Sequence, residues 1–413
     1  MKGFRMALCW LLAAATGARG AEEFFDQVED ALTTGAFDGR MRARLSGMLD
    51  LEGYDFQTPP PALIETSASQ LFVPRLSLFL DAQFGAHAYF FAQSRIDRGF
   101  DPYDGDTKLR LDEYALRIAP WRHRSFVLQV GKFATVVGNW TPRHGSWANP
   151  FIGAPLLYEN LTGIWDTEAV TNSTLLLRWA HVRPGLPADV TAREKDLRLP
   201  IVWGPSYATG IAAAGDVGRF RYAFELKHAS LSSRPETWSH MRGHWQHPTV
   251  SGHVGYRPNE MWNIGVSASA GSYLQPAAPT GAGHGRGDYR QLVIAQDIAF
   301  AWHHVQVWTE VYGARFEIPG VGNADTLAYY AEAKYKFGPR LFGALRWNQQ
   351  LYGAIPDRGV ETRWGKNASR LDLGAGFRFS PHTQLKLQYN LQQGDTAPRK
   401  NGRLLAGQFT LRF

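Results

Sequence analysis

The chain has 413 residues, 44% apolar and 13% aromatic, with 42 glycines and a formal net charge of +7. A mean hydropathy of −0.29 and the lack of a long apolar run exclude a helical membrane protein, and the mild basic excess does not suggest a nucleic-acid binder. With helical periodicity scarce, the remaining classes are a secreted soluble β protein and an outer-membrane β-barrel, and strand order separates them.

Lys2 and Arg5 precede an apolar run from Met6 to about Ala15, followed by Ala18-Arg19-Gly20. This is the pattern of a secretory signal peptide, residues 1–20, cleaved after Gly20. Cys9, the only cysteine, lies in that run and reads as an ordinary apolar residue, so the mature chain has no disulfide and no cysteine metal site. Residues 21–36 form a short acidic segment with Phe24, Phe25, Val28 and Leu32 spaced near 3.6, which predicts a periplasmic amphipathic helix at a barrel mouth.

From residue 37 to 413 the period is two. Met41, Ala43, Leu45, Leu49 and Leu51 alternate with Arg42, Arg44, Ser46, Asp50 and Glu52. Further strands follow near Arg75–Ala82, Ala88–Asp97, Glu113–Ile118 and Phe126–Gly131, separated alternately by long and short connections. After a connection of unusual length, Gly138 to about Ser206, the alternation resumes. It gives strands near Tyr207–Gly215, Phe220–Lys227, Val250–Arg257, Trp262–Ser269, Tyr289–Trp302, Val305–Ala314, Leu327–Phe337, Leu341–Leu351, Arg370–Phe379 and Leu385–Gln392. The last strand sets Leu405, Gly407, Phe409, Leu411 and Phe413 on one face, and Ala406, Gln408, Thr410 and Arg412 on the other.

The expectation is therefore an all-β protein, a transmembrane antiparallel β-barrel of about 16 strands with short periplasmic turns and a long third extracellular loop. Aromatics beside the short turns, among them Trp121, Phe220, Trp262, Trp302, Phe337 and Phe379, fit a membrane-interface belt. A minor alternation at Leu175 to Ala180 leaves room for an added strand pair.

A barrel of this size leaves a lumen that wall side chains alone do not fill. The third loop is long enough to narrow it and carries Trp140, Arg143, His144, Trp147, Asn149, Tyr158, Glu159, Asn160 and Trp165, groups suited to hydroxylated or anionic solutes. Arg42, Arg44, Arg75, Arg95, Arg117, Arg221, Arg346, Arg370, Arg378 and Arg412 recur on the polar strand faces and are candidates for lining the pore. Rings of cations favour anions. The alternative is that acids on neighbouring strands neutralise them, as Asp372 would Arg370.

His240, His244, His247 and His253 lack the spacing of a metal site, and the glycine repeats of Gly281 to Gly287 do not join a strand to a helix. Ser232, His228 and Glu236 offer the residue types of a hydrolase without a spacing that requires one.

Asp112-Glu113-Tyr114 followed by Leu128-Gln129-Val130-Gly131-Lys132-Phe133 is similar to the fourth and fifth strands of the phosphate-selective porin O and P family. The chain departs from that family after Phe133, reading Ala134-Thr135-Val136-Val137-Gly138. The ending on Phe413 resembles the last strand of bacterial outer-membrane proteins, which the barrel assembly machinery recognises. The resemblance implies a sixteen-stranded, trimeric porin in the bacterial outer membrane, surrounded by lipid. The function expected is passive diffusion of small hydrophilic solutes with anions favoured, without a cofactor or enzymatic activity. An export channel for an acidic polysaccharide is the first alternative, and a barrel enzyme the second.

Overall fold

The computed structural model describes residues 18–36, 39–57, 69–97, 108–121, 124–181, 197–235, 245–394 and 401–413. Sixteen strands form the barrel: β1 Met41–Phe56, β2 Gln70–Phe84, β3 Ala88–Asp97, β4 Lys108–Ile118, β5 Val127–Phe133, β6 Ala208–Val217, β7 Phe220–Lys227, β8 Thr249–Tyr256, β9 Trp262–Ser272, β10 Arg290–Trp302, β11 Val305–Ile318, β12 Gly322–Lys336, β13 Leu341–Tyr352, β14 Ala368–Arg378, β15 Thr383–Gly394 and β16 Asn401–Arg412. Each pairs antiparallel with the next. The ring closes where β16 pairs with β1, Leu404 opposite Phe56 and Arg412 opposite Met48. Gly47 and Phe413 exchange two backbone hydrogen bonds of 2.8 and 3.0 Å at that seam. A closed ring leaves no unpaired edge, the condition for crossing hydrocarbon with strands.

The side-chain alternation is inverted relative to a soluble protein. Val266, Ile294, Leu345, Trp347, Leu373 and Leu387 are exposed on the outside, whereas Asp50, Glu310, Arg346, Gln350, Asp372 and Thr410 are fully buried within. Near the short turns the outer face carries exposed Trp121, Phe220, Trp302 and Phe337, with Trp262 against Phe300 at 4.5 Å and Phe377 against Phe379 at 5.0 Å. An apolar band with aromatic girdles places the barrel in a bacterial outer membrane, short turns toward the periplasm.

Three features depart from simple alternation. Residues 175–180, read from sequence as room for a strand pair, belong to a helix, Ser173–His181. Asn172 caps it, its side-chain oxygen accepting from Leu175 N at 2.9 Å. Leu176, Trp179 and Ala180 then fall on one buried face. A small hairpin, Ala354–Asp357 with Val360–Arg363, decorates the β13–β14 connection, its turn formed by Arg358 and Gly359 with φ of 51° and 80°. A bulge in the β3–β4 ladder, between Gln93 and Ser94, turns both Asp112 and Glu113 toward the lumen.

At the periplasmic end lies the helix α1, Ala18–Ala31. Phe25 packs on the His382 ring at 5.5 Å, Asp26 reaches His382 at 3.1 Å and Glu29 pairs with Arg44 at 3.0 Å. The short strand Thr33–Ala36 then pairs with Met41–Arg44, beyond the end of β16.

Candidate functional site: the lumen and its inward loop

Between β5 and β6, the described parts of the connection, residues 134–181 and 197–207, turn into the barrel. A loop that enters a lumen must satisfy its own peptide groups there, and here inward side chains of the wall do so. Glu225 accepts from Val136 N at 3.1 Å and Thr135 Oγ1 at 2.6 Å. Glu310 accepts from the backbone N–H groups of Asn139 and Trp140 and, at 2.6 Å, from the Tyr158 hydroxyl. Lys386 donates to the carbonyls of Ser146, Asn149 and Phe151 at 2.7, 3.1 and 3.1 Å. Gln388 accepts from Ile152 N and Gly153 N at 2.6 and 2.9 Å, and Asn348 from Leu156 N at 3.1 Å. Arg346 donates to the carbonyls of Gly153 and Ala154 at 2.9 and 3.2 Å.

Apolar packing completes the seat. Val137, Trp140, Leu157, Tyr158, Ile201 and Val202 of the loop pack on Val293, Ala295, Tyr312, Ala314, Ala328 and Tyr330 of β10–β12. Toward the extracellular end, Leu161, Ile164, Val170, Leu176, Trp179 and Trp203 join Tyr273, Phe316, Tyr352 and Trp364. Gly138, at φ 78°, opens the crossing. A Cβ there would meet the hydroxyls of Tyr312 and Tyr158 and the Glu310 carboxylate.

The candidate residues separate into two groups. Arg346 is buried between Glu332 and Asp372, at 3.2 and 2.7 Å. Arg370 lies between Glu159 and Asp372, and also donates to the Ala154 carbonyl. Arg75 bridges Asp50, Glu52 and Ser146. Arg95 pairs with Asp112 at 2.8 Å. Arg143 reaches Glu332 and Tyr330 and lies over the Trp308 ring at 4.4 Å. Trp147 of the loop sits between Arg378 and Arg412, at 5.1 and 4.2 Å. These side chains brace the loop or its wall.

Arg42, Arg44, Arg117 and Arg221 form the second group, exposed toward the periplasmic end. Arg117 donates to Gln129 at 2.6 Å and lies over the Phe91 ring at 4.5 Å, and Arg221 pairs with Asp216 at 2.9 Å. Between this end and the loop lies a vestibule of about 1150 Å³. Its sides include Tyr89, Glu113, Arg117, Arg124, Arg221, Asn263 and Asp297, and its inner end is formed by Gly138, Asn139, Arg143 and His144.

His144 marks that end. Its Nδ1–H faces the Thr141 carbonyl, and the Tyr207 hydroxyl donates to Nε2 at 2.8 Å. Both ring nitrogens are thus satisfied in the neutral form, and burial lowers the imidazole pKa to about 4. Burial raises the Glu159 carboxyl against the opposing pull of Arg370.

Glu225, Glu310, Lys386, Gln388 and Asn348 were not among the sequence candidates. Their inward parity is readable, but their partners are peptide groups of a distant loop. Among the described residues no three His, Cys, Asp or Glu gather as metal ligands. His240, His244 and Glu236 lie outside the described residues. His228 Nδ1 faces the Thr209 carbonyl at 3.0 Å and Ser232 Oγ faces Ser230 Oγ at 3.1 Å, so the two engage other partners. In the motif of β4–β5, Glu113 accepts from Ala134 N at 3.1 Å and Lys132 donates to the Leu111 carbonyl at 2.8 Å.

No known protein family and no curated protein matches the sequence. Among solved structures, the chain is similar to an anion-selective porin from Comamonas acidovorans, at 10% identity and TM-score 0.53, over 90% of this chain and 100% of that one. It is also similar to the outer membrane channel DcaP of Acinetobacter baumannii, at 8% identity and TM-score 0.55, over 92% and 100%. A trimer form of OmpT, an outer membrane protein of Vibrio cholerae, aligns at 9% identity and TM-score 0.53, over 90% and 99%. At such identities the likeness establishes a porin-type barrel fold.

Proposed function

We propose that the chain is a passive outer-membrane channel for small hydrophilic solutes, exported by its leader 1–20 and assembled as a homotrimer like the trimeric barrel it resembles. The observation that carries this reading is the vestibule of about 1150 Å³ inside a closed barrel, with charged side chains among its sides, ended by a loop that the wall itself holds in place. A fixed inward loop sets the size of what passes, as wall side chains alone do not. Modest anion preference is assigned to the exposed mouth arginines Arg117, Arg124 and Arg221. The finer phosphate-selective reading rests on the β4–β5 resemblance and on the same mouth cations.

Single-channel conductance of the refolded mature protein in a planar bilayer, with the reversal potential read under a salt gradient, tests the proposal. A steady open conductance with an anion-favouring reversal potential is expected. Silence from a correctly folded barrel would overturn it, and block by an acidic oligosaccharide would turn the reading to polysaccharide export.

A further inference from the structure

We propose that the vestibule wall carries a binding subsite for a small organic cation, a primary ammonium group, at Asp297. The site joins two strands that do not pair. His253 lies on β8 and Asp297 on β10, with β9 between them. They meet because β9 places Gly265 opposite Asp297 in register. A Cβ at Gly265 would collide with both the Asp297 carboxylate and the His253 ring.

The contact they make is incomplete. His253 Nδ1 is 2.9 Å from Ser267 Oγ but 3.6 Å from Asp297 Oδ2, too far for a hydrogen bond. The Asp297 side chain is 1% exposed, and among the described residues no hydrogen bond of normal geometry reaches its oxygens, the Asn139 amide being a donor beside it. Directly across on β11 stands its register partner Glu310. That carboxylate already holds Asn139 N, Trp140 N and the Tyr158 hydroxyl. Two acids therefore lie side by side on adjacent strands, and only one is held by hydrogen bonds of normal geometry. Buried acids without donors are costly, and a like charge opposite adds to the cost.

The nearby guanidinium groups are engaged elsewhere, Arg221 with Asp216 and Arg143 with Glu332 and Tyr330. Asn263 and Asn139 line the vestibule with Asp297, and the Asn139 amide is already held by the Tyr330 hydroxyl and the Ile298 carbonyl, at 3.2 Å each. A buried carboxylate in the vestibule wall, short of well-formed hydrogen bonds, suits the N–H donors of an ammonium group. The set lacks the third carboxylate or imidazole that a metal ion would add.

The test does not depend on conduction, so its failure is distinguishable from failure of the channel reading. Isothermal titration of the refolded full chain in detergent with n-butylammonium chloride should give saturable binding. Asp297→Asn, which keeps the shape and removes the charge, should weaken it about tenfold or more, as for loss of one partner of a desolvated charge pair. Gly265→Ala should weaken it as well, with the barrel still folded by heat-modifiable mobility. Equal affinity in wild type and Asp297→Asn, or no saturable heat in wild type, would overturn the proposal. Displacement by equimolar potassium would overturn the ammonium assignment in favour of an inorganic cation.

Discussion

Tyr158, in the middle of the inward loop, donates its hydroxyl proton across 2.6 Å to Glu310 on the barrel wall. The same carboxylate receives two successive peptide N–H groups at Asn139 and Trp140. One wall side chain therefore holds the start and the middle of the loop together. Glu310→Ala strands three donors, and at about 1–3 kcal/mol each the loop should leave its seat while the barrel persists. Limited proteolysis should then cut between residues 138 and 205 in a barrel that still shows heat-modifiable mobility, with conductance increased. Unchanged resistance to protease would show that apolar packing alone seats the loop.

The two groups of arginines should respond differently. Arg346→Leu leaves Asp372 and Glu332 with fewer cations in a dry site, and should cost about 3–5 kcal/mol, read as a lower unfolding midpoint in denaturant. Arg117→Ala, at an exposed position on the vestibule, should leave the midpoint within about 0.5 kcal/mol and shift the reversal potential toward cations. The opposite pattern would reassign the pore lining.

His144 carries a sign that acid can test. Its folded pKa, about 4, lies below the usual 6.5 because burial disfavours the charged ring. The unfolded chain therefore takes up the proton first as pH falls. The stability held by the neutral ring is complete above about pH 6.5 and is lost progressively toward pH 4, by about 3 kcal/mol. Glu159, raised by burial, works in the opposite direction. Comparison with His144→Gln isolates the imidazole: the difference in stability between variant and wild type should shrink over that window. A difference constant from pH 7 to pH 4 would contradict the neutral ring.

Gly138→Ala probes the loop's entrance. The glycine sits at φ 78°, and an added methyl would meet Tyr312, Tyr158 and Glu310. The backbone strain alone is worth about 1 kcal/mol, and the collision adds to it. Loss of loop protection against protease, with the β-sheet circular dichroism signal retained, is the expected result.

The strands were legible because a period of two survives in each of them, including the last, where Leu405 through Phe413 alternate without a break. The sixteen segments read from sequence correspond to the sixteen strands observed. The inward course of the long loop was expected from its length, but the wall residues that seat it were not legible. Lys386 and Glu310 occupy positions that any lumen-facing residue could hold, and apart from the Tyr158 hydroxyl their ligands are backbone carbonyl and N–H groups. Nor was the bulge at Asp112 visible, since one extra residue leaves the alternation intact on either side. Strand parity does allow neutralised arginines, Arg370 beside Asp372, and the two side chains meet at 2.8 Å. Glu159 of the loop, which shares Arg370, was beyond what strand register can show.

At the seam, Asp50 of β1 accepts from Thr410 of β16 and Ser146 of the inward loop, both at 2.6 Å, and pairs with Arg75 of β2 at 3.1 Å. The terminal ring of Phe413 lies over Gly47, where a Cβ would strike it. Sealing the cylinder and swallowing the loop therefore share one carboxylate. A nascent chain that zips its first and last strands around an empty interior would keep Thr410 and Arg75 on Asp50 and lack only Ser146, so the seam can close before the loop arrives and then offers it a waiting acceptor.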